Sequence, residues 1–216
     1  MKSAYDAAAR MASAAARLTG DRPHVLPPLL ALTDPLRQPD PVALIANLAP
    51  GSGVIYRHFG AADRLETARR AVTLANRKGV TILVSSDPDL ARRSGAHGIH
   101  WPEQHIAQAG RMRARGSTLI FTASAHSVKA LARARLAGID ATLVSTVFPS
   151  ASPSAGRPMG PLALAAWAQH SDMPIYALGG VNPRTIRRLE SLQISGVAVV
   201  GALEVGAIRT AGPTQT

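Results

Sequence analysis

Residues 80–93, VTILVSSDPDLARR, contain one full unit of the pattern that organises this chain. Val80 to Val84 is an apolar run of strand length, and Ser85-Ser86 interrupts it. Asp87-Pro88 then supplies a capping carboxylate and a proline at the first helical position, ahead of a charged helical stretch. The same order recurs on both sides. Leu29 to Leu32, Gly53 to Tyr56, Gly98 to His100, Leu119 to Thr122, Ala141 to Ser145, Ile175 to Leu178 and Val197 to Val200 also read as strands. Helical patterns begin near Pro41, Asp63, Pro88, Pro102, Ser127, Pro161 and Pro183, and Asp40-Pro41 and Asn182-Pro183 repeat the cap-then-proline start. Eight strands separated by single helices and short connections predict an α/β fold of the closed (β/α)8 kind, a TIM barrel, with an open doubly wound sheet as the alternative.

The ends of the chain depart from that repeat. Tyr5, Ala8, Met11, Ala15 and Leu18 recur at helical spacing, which predicts an extra amphipathic helix ahead of the barrel. It has two uses open to it: packing near the final strand, or a homodimer contact. After the eighth strand, Ala202 to Arg209 is long enough only for a short C-terminal helix. The expected division is therefore residues 1–28 as N-terminal helix and lead-in, 29–209 as the barrel and 210–216 as a polar tail.

Composition removes several chemistries. The 216 residues include no Cys, which excludes disulfides, thiolate metal sites and cysteine nucleophiles. No apolar run approaches the roughly 20 residues of a membrane helix, and no signal-peptide pattern opens the chain, so a cytoplasmic protein without a membrane partner is expected. Lys and Arg number 24 against 13 acidic residues, and all but Lys2, Lys78 and Lys129 are arginine. Nucleic acid is not the expected partner, because aromatics make up only 4% of the chain and no basic stripe is interleaved with them. The arginines read mainly as a solvated helical exterior.

In such a barrel the chemistry gathers where strands run into the following loops. Those positions are Thr33 and Asp34, Arg57 and His58, Ser85 to Asp87, His100 to Glu103, Ser124 and His126, Ser145 to Ser150, Gly179-Gly180, and Val200-Gly201. Gly179-Gly180 alone can be nothing more than a tight turn, but with Val200-Gly201 at the next strand end the favoured reading is a phosphate site, where backbone amides approach the anion. His126 can move a proton near neutral pH, or can simply bond loop backbone at a helix start. His58, His100 and His105 are further possibilities, whereas His97 belongs to a helix-to-strand turn away from the mouth. Asp34, Asp87 and Glu103 are oxygen donors, but Asp34 and Asp87 read equally well as caps, so the residues alone call for no metal site. The loop from Phe148 to Pro161 is the longest after any strand and the best candidate for a lid.

The runs LALTD (30–34), GVIYR (53–57), GAHGIH (95–100), SAHS (124–127), VFPS (147–150) and ALGGV (177–181) resemble, in order and spacing, the landmarks of the thiamine phosphate synthase and TenI family. The resemblance spans about Leu29 to Leu203 and implies a (β/α)8 barrel acting in thiamine biosynthesis. Its synthase branch implies joining a pyrimidine pyrophosphate to a thiazole phosphate with Mg2+. Its TenI branch implies a thiazole tautomerase that requires no cofactor, with His126 matching the catalytic histidine. This chain departs from the synthase pattern at several places. IYRHF (55–59) keeps the Arg of a Gln-x-Arg-x-Lys run and lacks its Gln and Lys; Ser85-Ser86 stands where the family has Asn-Asp; PEQH (102–105) replaces Gly-Gln-x-Asp. The phosphate-binding Lys expected after strand six is absent, with Arg157 nearby.

Three functions follow as expectations. The first is a TenI-like tautomerase with His126 as acid/base and a phosphorylated ligand held by Arg57, Ser124, Ser150, Arg157, Gly179, Gly180, Val200 and Gly201. The second is a divergent synthase in which Asp87 or Glu103 serves Mg2+. The third is a non-catalytic protein that binds a ligand of the thiamine pathway.

Overall fold

A computed structural model describes residues 4–19, 26–150, 152 and 155–201. Eight parallel strands close into a barrel in sequence order: β1 (Leu29–Leu32), β2 (Gly53–Tyr56), β3 (Thr81–Ser85), β4 (Gly98–Trp101), β5 (Ile120–Ala125), β6 (Ala141–Val144), β7 (Ile175–Leu178) and β8 (Gly196–Val199). Closure is made by β1, whose Leu30 registers with Gly53 on one side and Ala198 on the other. An open sheet is thereby ruled out.

Alternation along each strand separates two cores. Leu30, Leu32, Ile55, Leu83, Leu143 and Tyr176 fill the barrel interior. Residues one step along, such as Val54, Val84, Ile99 and Phe121, face the helices. Those helices are α1 (Ala4–Thr19), α2 (Pro41–Ala46), α3 (Arg64–Lys78), α4 (Pro88–Ser94), α5 (Ile106–Ala114), α6 (Val128–Leu136) and α7 (Gly160–Gln169).

Two caps read from sequence form as expected: Asp40 accepts from the amides of Val42 and Ala43, and Asp87 from that of Leu90. Ser127, where a helical pattern begins, caps α6 by accepting from Ala130. Gly79 and Gly95 end α3 and α4 in the left-handed conformation, at φ 65° and 77°.

One helix is corrected. The helix expected from Pro183 is only a 3-10 turn at Ile186–Leu189. The Asn182 side-chain oxygen accepts from the amides of Arg184 and Thr185, and the Thr185 hydroxyl donates to the carbonyl of Gly180, so the local side chains build a turn instead. The wall beside it is taken by α1, which buries Ala8, Met11, Ala15 and Leu18 and packs on β8, β1 and this turn. The short helix expected over Ala202 to Arg209, the tail and most of the lead-in lie outside the described residues. No helix among the described residues is long and apolar enough to cross a membrane.

Candidate active site

A cavity of about 430 Å3 opens at the carboxyl ends of the strands, walled by the loops after β6, β7, β8, β1 and β2. Its floor is Leu32, Leu178 and Ala198 from the barrel interior, and its polar wall includes Arg37, Arg57 and Ser145. Of the residues expected at the site, Arg57, Ser150, Gly179, Gly180, Val200 and Gly201 line it. The loop after β6 contributes Pro149, Ser150, Ser152 and Ala155 as one side.

Both glycines after β7 are required by close backbone approach. A Cβ on Gly180, at φ 65°, would sit 2.4 Å from the Pro149 carbonyl oxygen, and one on Gly179 would sit 2.7 Å from the Thr146 methyl. The two loops are zipped together by Val147 N–H to Leu178 O and Phe148 N–H to Gly179 O, each 3.0 Å. Those bonds use carbonyls of the β7 end. The amides of Gly180 and Val181 have no acceptor among the described residues and remain available to an anion.

Arg57 faces the opposite wall and is held by three contacts with the end of β1. Its amide donates to the Thr33 hydroxyl at 2.8 Å, its Nε donates to the Thr33 carbonyl at 2.7 Å, and its guanidinium lies 3.8 Å from Asp34. His58 locks this arrangement from behind. Its Nε2 lies 3.2 Å from the Pro39 carbonyl, which can only accept, so Nε2 carries the proton and Nδ1 accepts from the Thr33 hydroxyl at 3.1 Å. His58 is thus a buried brace for Arg57. Burial pulls the Arg57 pKa below the ordinary arginine value, and the nearby Asp34 opposes that shift. Asp34 also accepts from the amides of Leu36 and Arg37, in the capping role foreseen for it, and this turn brings Arg37 to the cavity. Two guanidiniums and one carboxylate leave this wall positive.

His126 stands beside the cavity, joined to it through Ser145. Its Nδ1 lies 3.1 Å from the Ser145 carbonyl and 3.3 Å from the hydroxyl. The carbonyl fixes the proton on Nδ1, so Nε2 carries a free lone pair with no partner among the described residues. The backbone amide of His126 donates to Glu103 at 2.8 Å, and the other Glu103 oxygen pairs with Arg133 at 2.7 Å. Glu103 therefore anchors the loop that carries His126.

His100 points into the barrel between two hydroxyls, with Nδ1 2.9 Å from Thr122 and Nε2 3.1 Å from Ser124. Burial, helped by the nearby positive Arg57, pushes its pKa down to about 3, so it stays neutral. The unfolded chain binds a proton at this residue below about pH 6.5 and the folded chain does not. Stability should therefore fall as pH drops from 6.5 towards 3, by on the order of 1 kcal/mol per pH unit. Urea denaturation across that range should show the slope in the native protein and a flatter one in His100→Gln.

Two expected residues are corrected. Ser124 is drawn to His100 below the mouth, Arg157 is exposed, and neither lines the cavity. Arg37, which the strand-end reading passed over, takes the basic position; the Asp34 turn three residues earlier is the signal that could have found it. The carboxylates considered for Mg2+ do not suit the ion. Asp87 spends one oxygen on the Leu90 amide and the other on Arg64 at 2.7 Å, and both Glu103 oxygens are engaged as above. No group of three His, Asp or Glu side chains among the described residues is placed to hold a metal.

Fold and cavity together define a (β/α)8 barrel with a basic, amide-lined cavity at the carboxyl ends of β6, β7, β8, β1 and β2. The thiamine monophosphate synthase family profile matches residues 40–203, and the chain belongs to that family. A thiamine-phosphate synthase of Marinobacter nauticus is 30% identical over 189 residues, covering 84% of this chain and 85% of that one. The thiamine biosynthesis bifunctional protein ThiM/ThiE of Symbiobacterium thermophilum is 29% identical over 65% of this chain, a match that spans only 29% of that longer protein. Among solved structures, thiamine phosphate pyrophosphorylase from Pyrococcus furiosus superposes with a TM-score of 0.68 at 22% identity, covering 81% of this chain and 85% of that one, and supports the barrel fold.

Proposed function

We propose that this protein is a TenI-like thiazole tautomerase, acting on a thiazole carboxylate phosphate without a metal. The observation that carries this reading is the pairing of a base with an anion site. His126 Nε2 is unpartnered beside Ser145, while the free amides of Gly180 and Val181 line or flank the same cavity. The phosphate is held at the β7–β8 loops, and Arg57 and Arg37 face the remaining negative charge. With the ring so anchored, Nε2 takes a proton from one ring position and returns it at another, and the Ser145 carbonyl steadies the imidazolium formed between the two steps.

The second reading, a divergent synthase, is favoured by the names of the relatives. It requires Mg2+ and cations to neutralise a departing pyrophosphate. The carboxylates on offer, Asp87 and Glu103, are already bound to arginines, which is why the tautomerase is preferred.

Incubation with both synthase substrates and Mg2+, alongside the thiazole carboxylate phosphate alone, separates these functions. Tautomerisation without thiamine phosphate is expected; clear thiamine phosphate formation overturns the proposal. Saturable binding with no turnover in either assay would instead identify a ligand-binding protein. Arg57→Ala should weaken binding of thiazole phosphate by about tenfold or more, because it removes a guanidinium and leaves Asp34 facing the ligand. Arg57→Lys should recover only part of the loss, since lysine cannot hold the Thr33 carbonyl and reach the ligand together. Isothermal titration of the three proteins reads both effects.

A further inference from the structure

A second cavity, of about 390 Å3, lies on the outer wall between α1 and the 3-10 turn after β7. Arg10, Arg17 and Arg187 border it, and no carboxylate lines it. Seven arginines among the described residues pair with an acid, Arg37, Arg57, Arg64, Arg92, Arg93, Arg113 and Arg133, while others scattered over the surface, such as Arg70, Arg77 and Arg184, do not; what is particular to Arg10, Arg17 and Arg187 is that they border one cavity. Arg10, Arg17 and Arg187 make no such pair and no side-chain hydrogen bond among the described residues, although the chain carries them to one place from α1 and from the turn 170 residues further on. Arg10 and Arg17 are seven residues apart, two turns of helix, and so share a face about 10 Å long. Between the guanidiniums the lining is mainly apolar, from Ala9, Met11, Ala14, Pro183 and Ile186, with Ser13 as its uncharged polar member.

We infer that this cavity is a binding site, separate from the barrel mouth, for a small phosphorylated molecule carrying a flat ring, of the nucleotide class. Three guanidiniums around a cavity with no carboxylate in its lining favour a multiply charged phosphate, which arginine grips through paired N–H donors. The apolar floor gives a ring a place to lie, and the volume falls within the range of small-ligand sites. The inference is independent of the reaction proposed for the mouth, since none of these residues lines the mouth cavity.

The test is calorimetric titration of the full chain with ADP and with inorganic pyrophosphate at physiological salt. Saturable ADP binding is expected, about tenfold tighter than pyrophosphate because only ADP has a ring to bury. The double variant Arg17→Ala with Arg187→Ala should weaken ADP at least tenfold. Arg70→Ala with Arg77→Ala, which removes equal charge from the exposed face of α3, should leave it unchanged. Circular dichroism confirms that the variants fold. Absence of saturable ADP binding, equal loss in both double variants, or loss in Arg57→Ala at the mouth would each overturn the assignment. Pyrophosphate binding as tightly as ADP would overturn the nucleotide class.

Discussion

His126→Ala is expected to lower the turnover of thiazole carboxylate phosphate by about 10²–10⁴-fold, the usual contribution of a positioned acid/base. Affinity for the ligand should change little, because the groups that hold the phosphate belong to the β7 and β8 loops and not to this side chain. Such a separation of turnover from binding distinguishes a proton carrier from a structural histidine. His126 is exposed and, among the described residues, its side chain hydrogen-bonds to Ser145 alone, so its loss should not unfold the barrel. Progress curves of tautomerisation, followed by NMR of the ring protons, check the rate, and titration calorimetry checks the affinity. Equal rates in the variant and the native protein would remove His126 from the mechanism. Glu103→Gln offers a milder companion: it keeps an acceptor for the His126 amide and loses the Arg133 ion pair, so a fall of a few-fold is expected.

Gly98→Ala is expected to be severely damaging for a single added methyl, at about 3 kcal/mol of stability or more. A Cβ there would lie 2.1 Å from the carbonyl oxygen of Ile120 and 2.7 Å from the Leu83 side chain. Neither neighbour can yield easily. Ile120 belongs to β5, registered directly with Gly98, and Leu83 is packed in the closed interior. Moving either strand would disturb the whole ring, because a closed barrel has no free edge at which to absorb the shift. By contrast Gly51→Ala adds a Cβ with no atom within 4 Å and pays only for its positive φ of 72°. Its cost should be near 1 kcal/mol. Chemical denaturation of the two variants gives the comparison, and a Gly98 variant as stable as the Gly51 variant would contradict the packing described here.

The elements that could be read along the chain are those made by neighbours in sequence. Asp40, Asp87 and Ser127 cap helices through amides two or three residues away, and the strands show as apolar runs because each is buried on both faces. The site was legible to the same extent. Arg57, Ser150, Gly179, Gly180, Val200 and Gly201 follow strands, and a parallel barrel must bring the ends of its strands to one mouth. The turn in place of a helix at Pro183 was not legible, because Asn182 before a proline reads equally as a helix start, and only the structure shows its side chain and that of Thr185 closing a turn, with α1 packed on the adjoining wall.

Fold class, family and the ring of residues at the mouth were therefore determined by the sequence itself, through local capping, strand periodicity and the order of motifs. Which of those residues are free to act was decided only by the tertiary structure. Arg64 reaches Asp87 across 23 positions and Arg133 reaches Glu103 across 30, giving an arginine partner to each of the two carboxylates that the sequence offered for Mg2+. Ser124 is taken by His100, while His126 meets Ser145 through one ring nitrogen and keeps the other. Such pairings depend on distances between chain segments that only the closed barrel sets, and a side chain's chemistry depends on which partner it finds.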